Sequence, residues 1–90
     1  MKSHTTESFR KLFRALPKEI QEQGRDAYRL FKQNPYHPSL RFKRIVDNIY
    51  SARVSLDYRA MGSRDGDEIV WFWVGSHGDY GKVVAQLRRR

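Results

Sequence analysis

The apolar positions of this chain change period once, close to Leu40. Before that point they recur at helical spacing. Phe9, Leu12, Phe13 and Leu16 fall at i, i+3, i+4 and i+7 and make a single apolar stripe, as one buried helix face requires. Thr5 or Thr6 is placed to cap that helix with a side-chain oxygen. Pro17 suits the first turn of a second helix, and Glu19 sits near its positive end. Ile20, Ala27, Leu30 and Phe31 share a face of it, and Gly24 lets a neighbour approach closely. Asn34-Pro35 closes the segment, because the residue before a proline avoids the helical region. The expectation is a helical hairpin with a tight connection around Leu16-Pro17.

From Leu40 the period is two. Leu40 and Phe42 alternate with Arg41 and Lys43. After a short link at Val46-Asp47-Asn48, Ala52, Val54, Leu56 and Tyr58 alternate with Ser51, Arg53, Ser55, Asp57 and Arg59. Residues two apart share a sheet face. A continuous strand here puts Arg53, Asp57 and Arg59 on one side. Asp65-Gly66 is a turn signal. Ile69 to Val74 is apolar at every position, as expected of a central strand covered on both faces, so Trp71, Phe72 and Trp73 read as core. Gly75 ends that strand. Asp79 to Arg90 reads as one short helix with Val83, Val84 and Leu87 as its apolar side, frayed at Arg88-Arg89-Arg90. The predicted class is α+β: an N-terminal helical hairpin packed on a small antiparallel sheet of about four strands, with a short C-terminal helix, in one domain spanning 1–90.

Charge sharpens this picture. The 90 residues carry 18 Lys and Arg against 10 Asp and Glu, a net charge of +8. Such a field attracts polyanions. There is no cysteine, which removes disulfides, thiolate metal sites and thiol nucleophiles. No run approaches the length of a spanning helix, and the N-terminal stretch lacks the apolar segment of a secretory signal. A cytoplasmic protein with no membrane partner is expected.

The chemistry-bearing residues gather in the last third. Arg53, Asp57 and Arg59 precede a histidine, His77, set just past a strand end. Two guanidiniums and an imidazole in a very basic small protein point to a phosphodiester substrate. Guanidinium grips phosphate through two donors and stays charged, and imidazole titrates near neutral pH. Each residue also has a plainer reading. His77 fits an ordinary Gly-rich surface turn. Arg59 fits a solvated strand face. Asp57 fits an ion pair with Arg53 or Arg59. Arg41, Lys43 and Lys82 suit backbone contacts to RNA but also a simple solvated face, and Tyr80 either stacks on a base or packs on the sheet. The three histidines do not share metal-ligand spacing on one element, so neither a metal nor another cofactor is expected.

The order and spacing of three segments resemble the RelE/ParE superfamily of bacterial toxin components. They are His37-Pro38-Ser39-Leu40, Arg53-x3-Asp57-Tyr58-Arg59, and Val74-Gly75-Ser76-His77-x2-Tyr80. The resemblance runs from about Ser8 to Val84. It implies a toxin neutralised by a cognate acidic antitoxin. In the RelE, HigB and YafQ branches it further implies an endoribonuclease that cuts mRNA in the ribosomal A site without a metal. The ParE branch implies instead a gyrase poison without nuclease residues, and a non-catalytic basic RNA- or ribosome-binding module fits the charge equally well. On the nuclease reading, Arg59 matches the family arginine that holds the scissile phosphate. His77 stands where the YafQ branch has a histidine and the RelE branch an arginine. Asp57 and His37 match YafQ-branch catalytic residues. Arg53 replaces a histidine of that branch, a fixed cation where the family has a proton carrier. His77 is then the general acid and Asp57 or His37 the base.

Overall fold

The computed structural model describes residues 1–89. Thr6 is the cap that starts the first helix, α1 (Glu7–Arg14), its side-chain oxygen accepting from the Phe9 amide at 3.1 Å. The chain turns at Ala15–Pro17, and α2 (Lys18–Gln33) begins directly after Pro17 and stops at the extended Asn34. The hairpin is as expected, down to the close approach at Gly24. A Cβ there would lie 2.7 Å from Cε1 of Phe13, so the absent side chain lets α1 lie near α2.

The remaining elements are β1 (Lys2–Thr5), β2 (Lys43–Val46), β3 (Ile49–Ser55), β4 (Tyr58–Asp65), β5 (Glu68–Ser76) and α3 (His77–Arg88). The strands form one sheet in the order β1-β5-β4-β3-β2. β2 to β5 pair antiparallel, and β1 adds a fifth, parallel strand against β5. The sheet is therefore mixed rather than purely antiparallel. β1 is silent in the sequence because Lys2-Ser3-His4-Thr5 contains no apolar side chain. Its inward Ser3 is satisfied by hydrogen bonds instead: the indole N–H of Trp71 donates to its Oγ at 3.1 Å, and the Tyr28 hydroxyl lies 2.8 Å away.

Three other expectations are corrected. The segment Ala52–Tyr58 is not one strand. It folds back at Leu56–Asp57, a two-residue connection between β3 and β4. The loop pairs Ser55 with Tyr58 and by itself would reverse the alternation, but the bulge between Arg53 and Ser55 restores it, so that Arg53 pairs with Arg59 and Ala52 with Ala60 and the apolar–polar pattern hides the turn. Leu56 ends at the tip, 72% exposed. Next, the first predicted strand begins at Lys43, because Pro38–Leu40 forms a single 3-10 turn ended by Arg41 at φ 47°. Finally, β5 continues through Gly75 to Ser76, and α3 starts at His77. Of the expected helix, Arg90 lies outside the described residues.

The core lies between the hairpin and one face of the sheet. Phe31, Leu40, Ala52, Ala60, Ile69, Trp71 and Val74 are buried there. Phe31 packs edge-on against Trp71 at 5.3 Å and against Phe42 at 5.2 Å between centroids, a favoured aromatic geometry. An apolar cleft of about 320 Å³ remains between α1, α2 and the sheet. On the opposite face, Met61 and Ser51 are sealed from solvent on the side where α3 crosses, with Tyr80 of that helix reaching Ser51. Among the described residues, no helix is long and apolar enough to cross a membrane.

Candidate active site

The β3–β4 hairpin assembles the cationic residues. Arg53 and Arg59 are direct cross-strand partners, and Gly75 of β5 is the next position in that row. Directly paired side chains share a sheet face and sit close together, so two positive charges oppose one another where a neutral pair would be more stable. The turn that brings them together also corrects the expected placement. Arg53 and Arg59 meet across the hairpin, and Asp57 stands in its turn. The strand bulges just after Arg53, which also borders the cleft on the helical side.

Arg59 is held in place by the hairpin itself. Its Nη1 donates to the carbonyls of Ser55 at 2.9 Å, Leu56 at 3.2 Å and Tyr58 at 2.9 Å. The guanidinium thus closes the turn with one nitrogen, while Nε and Nη2 make no hydrogen bond among the described residues. Burial holds its pKa below the usual guanidinium value. The charge of Arg53 lowers it further, Tyr80 opposes that, Arg41 again lowers it, and Asp57 opposes it. Four of the predicted site residues therefore lie within electrostatic reach of Arg59. An excess of positive charge around a partly desolvated cation is what a bound anion would relieve.

His77 joins this group through α3. It is the first residue of the helix, whose cap is Ser76: the Ser76 oxygen accepts from the Asp79 amide at 3.2 Å. The His77 amide donates to the Asp57 carbonyl at 2.6 Å, so the start of α3 is fixed to the hairpin turn. The imidazole stacks along the Tyr80 ring at 6.0 Å and 18°. Tyr80 in turn lies 3.2 Å, hydroxyl to hydroxyl, from Ser51. Tyr80 is therefore anchored to the sheet at its tip, with its ring against His77.

The Asp57 carboxylate makes no ion pair with Arg53 or Arg59 among the described residues, whose salt bridges lie elsewhere. Lys43 pairs with Ser51 and so lies on the same face as Tyr80, at the sheet edge. Two predicted residues are not brought to the group. Lys82 is exposed on α3, two residues and thus about 200° around the helix from Tyr80. The His37 ring is used locally: its Nδ1 accepts from the Ser39 amide at 3.2 Å and lies 2.8 Å from the Ser39 hydroxyl, capping the 3-10 turn. Ser51 has no local signature. Its part as an anchor for Tyr80 depends on α3 crossing β3, which alternation alone does not reveal.

The sequence matches the model of the ParE-like toxin domain over residues 18–82. That span takes in α2, most of the sheet and the start of α3. This chain belongs to the ParE-like toxin domain family. The ParE-like chain shares its fold with several solved toxins. RelE in the RelB–RelE antitoxin–toxin complex of Methanococcus jannaschii is similar with a TM-score of 0.72 at 18% identity, covering 89% of this chain and 96% of the other. YafQ from E. coli has a TM-score of 0.69 at 12% identity, covering 88% and 96%. The YoeB/ParE toxin from Agrobacterium tumefaciens has a TM-score of 0.64 at 18% identity, covering 86% and 99%. No curated protein matches the sequence.

Proposed function

We propose that this ParE-like toxin is an endoribonuclease that cleaves mRNA by transesterification. The observation that carries the reading is the facing pair Arg53 and Arg59, beside an imidazole, in a protein of net charge +8. Two cations facing each other across a hairpin are poorly explained by stability, since like charges placed opposite each other are destabilising.

The ribose 2′-hydroxyl attacks its own 3′-phosphorus, and the 5′-oxygen leaves. The products are a 2′,3′-cyclic phosphate and a 5′-hydroxyl. Arg53 and Arg59 neutralise the extra charge of the phosphorane, the term that contributes most when donors are already in place. His77 gives its proton to the 5′-oxygen. The Asp57 carboxylate, which no cation among the described residues pairs, takes the proton of the 2′-hydroxyl. Arg41 and Lys43 hold flanking phosphates, and Lys82 does so from the outer side of α3. By analogy with the nuclease branches of the family, the proposed cut falls in the ribosomal A site.

RelE is paired with an antitoxin in the complexes from Methanococcus jannaschii, Pyrococcus horikoshii OT3 and E. coli. By analogy, this chain is neutralised by an acidic antitoxin segment that covers the cationic hairpin, steered there by charge.

The test is induced expression followed by primer extension on a translated message. Translation stops first and cut messages appear. The family match by itself fits a second reading, a gyrase poison. Early arrest of supercoiling, with translation intact and messages whole, establishes that reading instead.

A further inference from the structure

Trp73 fills a place that belongs to another residue. Gly75 is the cross-strand partner of Arg59 and carries no side chain. A Cβ built on it would lie 2.6 Å from Cζ2 and 2.8 Å from Cη2 of Trp73. The Trp73 indole therefore leans along β5 into the Gly75 slot, and the row formed by Arg53 and Arg59 continues into an aromatic ring.

That ring is not used by the fold as Trp71 is. Trp71 is 4% exposed, and its N–H donates to Ser3. Trp73 is half-buried. Its N–H makes no hydrogen bond among the described residues, yet no buried side-chain nitrogen or oxygen among them lacks a partner, so this N–H opens to solvent. The aromatic pairs of the described residues involve Phe9, Phe13, Phe31, Phe42, Tyr36, Tyr50, Trp71, His77 and Tyr80, and never Trp73. Their cation–π contacts omit it as well. A half-buried indole that lies over Gly75, the next position in the row of Arg53 and Arg59, has the composition of a single-stranded nucleic-acid site: cations for the backbone and an aromatic for the base.

We propose that Trp73 is the stacking platform for one unpaired nucleobase of the RNA, next to the phosphate held by Arg53 and Arg59, and that Gly75 is side-chain-free so that the indole can lie there. This rests on the nuclease reading above. Stacking accepts every base but favours the larger purine face, so the platform biases which nucleotide is presented for cutting.

The probe is a short single-stranded RNA carrying 2′-O-methyl groups, which binds but supplies no nucleophile. Titration of the intact toxin should quench the Trp73 emission and protect it from acrylamide, while the sealed Trp71 stays unmoved. The Trp73→Leu protein should lose that quench and bind roughly 5- to 150-fold more weakly, the range for loss of one stacked base. On translated messages it should show a raised KM, a nearly unchanged kcat and a flattened base preference at the cut. Trp73→Phe should restore much of the binding, and Gly75→Ala, which displaces the indole, should reproduce the Leu phenotype. A probe that binds the parent with no change in tryptophan emission, or a folded Trp73→Leu protein that binds and cuts as the parent does, overturns the platform and leaves the nuclease intact. A parent that neither binds nor cuts RNA, on or off ribosomes, overturns the nuclease reading and the platform with it.

Discussion

The amide of His77 donates to the carbonyl of Asp57 at 2.6 Å. This one backbone bond ties the first residue of α3 to the β3–β4 turn. It places the proposed acid and the proposed base on two elements that cannot move independently, and it does so without using either side chain. Substitutions of the two side chains should therefore separate chemistry from folding.

His77→Ala is expected to lower cleavage by about 10²- to 10⁴-fold, the usual contribution of a general acid. Its thermal midpoint should stay near that of the parent, because the anchoring bond is made by the backbone. Single-turnover cleavage of a translated message, paired with a thermal melt, checks both halves. Parent-like cleavage by this variant removes His77 from the mechanism.

Arg59→Ala should fail on both counts. Removing the phosphate grip costs about 10²- to 10³-fold in rate. The three turn carbonyls also lose their common donor, at about 1.5–3 kcal/mol of stability. Arg59→Lys keeps the charge but cannot reproduce the planar fork, so it should recover stability better than rate. Chemical denaturation and cleavage measured on the same preparations decide this.

Arg53 gives the opposite trade. Arg53→Gln relieves the repulsion across the hairpin and should stabilise the fold by about 0.2–1 kcal/mol while slowing cleavage. The parent should gain more stability from added salt than the variant, since salt screens a repulsion that the variant lacks. Melts at low and high ionic strength measure the difference.

Much of this fold was legible in the sequence. The helical stripe from Phe9 to Leu16, the stop at Asn34-Pro35 and the apolar run of β5 each follow from a local pattern. What was hidden depends on parity and on distant pairing. The alternation through Ala52, Val54, Leu56 and Tyr58 is the same for a straight strand and for a strand folded at a two-residue turn with a bulge beside it, so Arg53 and Arg59 read as neighbours along one strand rather than partners across two. β1 carries no apolar signal, since its inward Ser3 is satisfied by hydroxyl and indole groups from elements far along the chain. Trp73 looked like core because its run is uniformly apolar. Its lean into the Gly75 slot is a property of the packed sheet.

His37 provides a control. Its ring caps the 3-10 turn, and loss of a cap costs about 0.5–2 kcal/mol. With Asp57 as the base, His37→Ala should melt earlier yet cleave within a few-fold of the parent below its melting range. A loss of rate as large as that of His77→Ala would give the base role to His37.

Tyr80→Phe removes the partner of a hydroxyl that is almost fully enclosed, since Ser51 is 2% exposed. An orphaned buried polar group costs about 1–3 kcal/mol. The double change with Ser51→Ala should recover part of that loss, because no hydroxyl is then left stranded. A denaturation cycle over the four proteins reads the coupling.

The parallel pairing of Lys2–Thr5 with Glu68–Trp71 joins one end of the chain to its last third. Loop closure over such a distance is slow and comes late in folding. A nascent chain that has not yet reached residue 68 leaves β1 without a neighbour and has made neither His77 nor Tyr80. On the mechanism proposed above, a nascent chain acquires its acid, His77, only after β5 has been made, so the strand that arms the site is also the strand that lets β1 join the sheet.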